Sequence, residues 1–183
     1  MIKMTSRRDV LAAGGAGLLG APAKATQSGP DVDTAIAVEN IARLSGEANA
    51  ALMRGDLQTY RSLITYAADF TFMSPFGGAP KRRADFTDAR MLDMSRSFKN
   101  GVFQQEVVES YAAGDLVVLV LIEQQRVEVG GLPAQDWRLR VTLVYRRDGA
   151  GWQLAHRHAD PLLNAIGLDE AARLARGDVQ LPD

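Results

Sequence analysis

Two hydrophobic periodicities follow one another along this chain: between residues 33 and 64 apolar positions recur every three or four residues, and between 102 and 159 they alternate. The first pattern predicts helices. Asp33 or Thr34 can cap a helix whose Ile41, Leu44, Ala48, Ala51 and Leu52 form one stripe, and Gly55 ends it. Asp56 caps a second, shorter helix with Leu57, Tyr60, Leu63 and Ile64 on one side. The run 69–74 is aromatic and β-branched, which predicts a strand stopping at Pro75, and Gly77-Gly78 and Pro80 then mark a loop. Asp85 is the expected cap of a third helix, with Met91, Met94 and Phe98 on one face and Asn100-Gly101 closing it.

The alternating half predicts four strands, at 102–112, 116–129, 134–147 and 151–159, separated by Ala113-Gly114-Asp115, Gly130-Gly131 and Asp148-Gly149-Ala150-Gly151. Consecutive hairpins make an antiparallel meander. In the third strand Trp137, Leu139, Val141, Leu143 and Tyr145 point to the core, and Arg138 and Arg140 to solvent or a partner. Leu116 to Ile122 is apolar at every position, so both faces there should be covered, by helices on one side and a partner subunit on the other. A homodimer is therefore expected. In the last strand, strict alternation sets Trp152, Leu154, His156 and His158 on one face and Gln153, Ala155 and Arg157 on the other. Asp160-Pro161 reads as a cap and first helical residue, opening a short helical tail over 161–183 in which Asp169 and Glu170 start a second piece. The expected fold class is α+β, with helices on one side of a curved antiparallel sheet in a single domain over 33–160.

Composition adds a compartment. Arg7-Arg8, an apolar glycine-broken run to Ala21, and Ala23-Lys24-Ala25 have the three parts of an export signal over residues 1–25, similar to a twin-arginine leader, with 26–32 as a tether. The apolar run is too short to span a bilayer, so no stable membrane insertion is expected after cleavage, and the product should be periplasmic or secreted. Loss of the leader takes the formal charge from −1 to −4. Nucleic acid is not an expected partner, because the basic clusters at 81–83 and 146–147 are short and followed by Asp85 and Asp148. The absence of cysteine excludes disulfides, thiolate metal sites and a cysteine nucleophile.

The element order, together with Arg54-Gly55-Asp56-Leu57, Ala68-Asp69-Phe70-Thr71-Phe72, Pro75-Phe76-Gly77 and Gly151-Trp152-Gln153-Leu154-Ala155-His156-Arg157-His158, resembles the SnoaL-like group of the nuclear transport factor 2-like superfamily. The resemblance implies a cone whose interior holds a small, mostly apolar molecule, with a histidine of the last strand lining it. The superfamily includes ketosteroid isomerase, but at that enzyme's three catalytic positions this chain has Ser74, Ala48 and, approximately, Leu143, which cannot form its constellation. The expected chemistry is cofactor-free acid/base catalysis of the isomerase, cyclase, dehydratase or hydrolase type. His158 would carry the proton, with Asp69 orienting it and His156 deeper on the same face. Tyr60, Phe72, Ser74, Met91 and Trp137 are the candidate ligand-binding residues. Two alternatives remain open on the residues: a non-catalytic binding or assembly module, and a metal site built from the His156-x-His158 pair with Asp69 or Asp160.

Overall fold

A computed structural model of the chain describes residues 32–149 and 151–176; the proposed leader and nearly all of its tether lie outside them. Helix α1 (Val32–Met53) and helix α2 (Leu57–Leu63) meet at Gly55, whose φ of 79° only glycine adopts readily. The Gly55 and Asp56 amides donate to the Leu52 and Ala51 carbonyls at 2.8 and 2.9 Å, which completes a Schellman end. Asp56 then caps α2 by accepting from the Thr59 amide at 3.0 Å. Strand β1 (Tyr66–Met73) follows, then a two-residue strand β2 (Lys81–Arg82), helix α3 (Asp88–Arg96), and the four long strands β3 (Phe98–Ala113), β4 (Leu116–Val129), β5 (Leu132–Asp148) and β6 (Gly151–Pro161); helix α4 (Leu168–Ala175) lies beyond them.

The strands form one sheet in the order β2-β1-β6-β5-β4-β3. The meander from β3 to β6 is antiparallel throughout, and β1 joins β6 in parallel. On the inner face, Val117, Leu119 and Leu121 of β4 and Leu139, Val141 and Leu143 of β5 pack with Ile41, Ala48 and Leu52 of α1. Val118, Val120, Ile122 and Val144 sit half-buried between these positions, on the opposite face. The α+β class, with helices on a curved sheet, is the architecture of this chain.

Several local expectations need correction. Helix α3 is capped by Thr87, which accepts from the Arg90 amide at 3.3 Å; Asp85 instead closes a 3-10 turn by accepting from the Arg82 amide at 2.6 Å. Phe98 opens β3 rather than extending the helix. Asn100 and Gly101 belong to that strand too, at a bulge between Lys99 and Val102, where Asn100 has φ 54°. A Cβ on Gly101 would lie 2.5 Å from the Met53 carbonyl oxygen, so glycine here lets the strand pass under the end of α1. Finally, Asp160-Pro161 does not start a helix: β6 runs through both residues, because the Leu162 amide is held by the Arg138 carbonyl at 2.8 Å. Among the described residues no helix is long and apolar enough to cross a membrane.

Candidate functional site

The inner face of the sheet and the helices enclose a cavity of about 600 Å³. That size is typical of small-molecule sites. Its aromatic wall comes from β1 and the turn before α3. Tyr66 lies 4.3 Å from Phe70 between ring centroids, and Phe86 sits 5.3 Å from Phe70 and 5.6 Å from Phe72. Edge and tilted contacts of this kind hold the rings in place without filling the space in front of them.

The floor is polar, and it is the part that strict alternation misplaces. In β6, Leu154 pairs with Tyr145 but His156 pairs with Val144, so Ala155 is an extra residue and the strand carries a β-bulge. Beyond the bulge the faces exchange. Arg157 turns inward opposite Leu143 while His156 and His158 turn outward opposite Val144 and Thr142. Inside, Arg157 meets Glu123, which continues the inward series Val117, Leu119, Leu121 on β4. Arg157 Nη1 and Nη2 donate to Glu123 Oε1 and Oε2, each at 2.8 Å, and the Glu123 side chain is 1% exposed. Asn49 Nδ2 of α1 approaches Oε1 at 3.4 Å. Burial alone would lower the Arg157 pKa, but the charge and hydrogen bonds of Glu123 outweigh it and hold the guanidinium above its ordinary value.

Two phenols complete the floor. The Tyr60 and Tyr66 hydroxyls lie 2.6 Å apart, and burial, the largest cause for both, raises their pKa values, well above the usual range for Tyr60. Both remain protonated donors at neutral pH. A ligand oxygen on this floor therefore finds O–H and N–H donors beside one paired carboxylate, in surroundings where each hydrogen bond is strengthened by exclusion of water.

Of the ligand-binding candidates, Tyr60, Phe72 and Ser74 line the cavity. Met91 does not: it is 3% exposed within the core, and Met94, three residues on, takes the wall position. Trp137 stands behind the wall, edge-on to Phe76 at 5.5 Å, and Phe76 makes the contact with the cavity. The catalytic candidates lie elsewhere. His156 Nδ1 and Thr71 Oγ1 are 2.5 Å apart and His158 Nε2 faces Asp160 at 3.2 Å, all on the outer face. Asp69 is exposed and forked by Arg146 at 2.8 and 3.1 Å, which holds its carboxyl below the ordinary value, so it orients no imidazole. The bulge is the physical reason that the pocket roles given to His156 and His158 fail. No group of three or more potential metal-ligating side chains occurs among the described residues.

Glu123 and Arg157 were within reach of sequence reasoning only in part. A glutamate in the inward register of an apolar strand is a signal for a buried partner. Nothing in Leu154-Ala155-His156-Arg157 announces the bulge that supplies it.

The outward His156 predicts an acid sensitivity. Burial and the neighbouring His158 ring, centroids 6.3 Å apart, depress the His156 pKa below its ordinary 6.5. As pH falls through that value the unfolded chain takes up the proton first, so stability present above it declines toward the folded pKa. Thermal melts from neutral to mildly acidic pH should show this decline in the wild type and a flatter profile in His156→Gln; parallel profiles would refute it.

A family profile described as the SnoaL-like domain matches residues 41–163. Proteins of curated function offer no match. Among solved structures, a nuclear transport factor 2-like superfamily protein from Salmonella enterica serovar Typhimurium aligns with TM-score 0.62 and 15% identity, over 75% of this chain and 98% of the other. A protein of the same family from Streptomyces avermitilis, provisionally named a dehydratase, gives 0.59 and 23%, over 71% and 99%. The association domain of C. elegans CaMKII gives 0.52 and 14%, over 70% and 98%. These likenesses show a nuclear transport factor 2-like fold, and the profile match, which covers most of the chain, establishes that the chain belongs to the SnoaL-like domain family.

Proposed function

We propose that this domain binds a small apolar or aromatic molecule in the cavity, with an oxygen of that molecule hydrogen-bonded on the Tyr60, Tyr66 and Arg157 floor. The observation that carries the reading is the buried Glu123–Arg157 fork facing an aromatic chamber of about 600 Å³. An ion pair removed from water is a poor device for stability, because apolar residues of similar volume commonly serve as well, so its place on a cavity floor favours recognition. The same donors suit cofactor-free acid/base chemistry. A carbonyl seated against them would be polarised as in an oxyanion site, which is consistent with structural neighbours provisionally named dehydratase and ketosteroid isomerase.

The working form we propose is an exported, periplasmic or secreted homodimer. Its contact would be the sheet face opposite α1, where Val118, Val120, Ile122 and Val144 are half-buried. The likeness to association domains supports an assembly role as the second reading.

Native mass spectrometry of the full chain purified from the periplasm tests the binding role. A non-covalent small-molecule adduct is expected in the wild type and its loss in Met94→Trp, which pushes a larger ring into the chamber from its wall. An adduct that survives the substitution, or a wild type that carries none and gains no thermal stability from a panel of aromatic compounds, sinks it.

A further inference from the structure

The mouth of the cavity carries charge of a different kind from its floor. Lys81 of β2 and Arg90 of α3 both line it, and neither forms an ion pair among the described residues. Other cations nearby are occupied. Arg61 reaches Asp88 at 2.8 Å, and Arg83 lies over the Tyr66 ring at 5.7 Å while donating to the Phe86 carbonyl. Lys81 is half-buried, and its backbone is fixed opposite Phe72 by the β1–β2 ladder, so its side chain leaves the sheet on the same face as that ring and lines the cavity. Arg90 is exposed and shares the cavity-facing side of α3 with Met94, one turn on. Asp93 is the one acidic side chain among the cavity-lining residues other than Glu123, and Glu123 is already neutralised by Arg157. The entrance thus has two cations against one anion. Low-dielectric aromatic walls concentrate that field on whatever enters.

Resting on the binding role proposed above, we infer that the ligand is an amphiphilic carboxylate: its apolar or aromatic body fills the chamber, a neutral oxygen meets the floor, and its carboxylate lies at the mouth between Lys81 and Arg90. The arrangement orders the two ends of the molecule. A carboxylate driven to the floor would find the Arg157 fork already taken by Glu123, whereas a hydroxyl or carbonyl there is matched by the neutral phenol donors. At the mouth the anion meets Lys81 and Arg90, neither of which is ion-paired among the described residues.

Isothermal titration with a hydroxynaphthoate and its methyl ester, matched in body and differing in charge, tests this on the full chain. The wild type should bind the acid about tenfold more tightly than the ester at low salt, and the ratio should shrink as salt rises. Lys81→Gln with Arg90→Gln should bring the acid down to the ester's affinity and leave the ester unchanged, and Asp93→Asn should strengthen the acid alone. Equal binding of acid and ester by the wild type, or a preference that survives the double substitution, overturns the carboxylate inference and leaves the cavity as a binding site. Failure of both probes to bind at any salt overturns the binding role along with it.

Discussion

An Arg157→Met variant is expected to lose about 3–5 kcal/mol of folding stability, read as a lower urea midpoint at an unchanged slope. The substitution leaves Glu123, 1% exposed, without the two 2.8 Å bonds that compensate its charge. Asn49, at 3.4 Å, is too distant and uncharged to take over. Adding Glu123→Leu should restore most of the loss, since an apolar pair of similar volume removes the uncompensated charge. That double variant separates the two roles of the floor: it should fold well yet hold a ligand oxygen more weakly, with only the Tyr60 and Tyr66 hydroxyls left to meet it. A single-variant loss under about 1 kcal/mol would mean that water reaches the carboxylate, and the fork would no longer count as buried.

Phe70→Ala is the other large effect, with an expected loss of about 3–5 kcal/mol. Its ring is 1% exposed and touches both Tyr66 and Phe86, so truncation removes the centre of the aromatic wall and joins a new void to the existing chamber. Calorimetric or fluorescence melts should show the drop. Indole added in excess should return part of it by occupying the enlarged apolar space. A melting temperature within experimental error of the wild type would show that Phe72 and Phe86 collapse into the gap.

Much of the architecture was legible because its cues are local. Gly55 with Asp56 marks a helix junction through one positive φ and one side-chain cap, and Trp137 to Tyr145 alternates cleanly because β5 has no irregularity on that stretch. The candidate site was less legible for the opposite reason. Whether His156 or Arg157 faces the chamber is decided by the single extra residue at Ala155, which satisfies every local preference of a strand whichever way it is inserted. The cap of α3 was misread because Asp85 and Thr87 are both good capping residues two positions apart, and only packing of Phe86 into the core selects the second. Asp160-Pro161 misled in the same manner: the dipeptide suits a helix start, but the Arg138 carbonyl captures the Leu162 amide first.

The sheet order places β6 between β1 and β5, so the last strand made among the described residues is an interior one. Until β6 has left the ribosome, the β1–β2 pair has no strand to join it to the meander, and the chamber floor lacks its arginine. Closure of the domain must therefore wait for β6, with the pairing of Phe72 and Arg157 spanning 85 residues. A nascent chain of this topology leaves its aromatic wall uncovered from the emergence of Phe86 until β6 is complete, an interval in which the rings are open to aggregation.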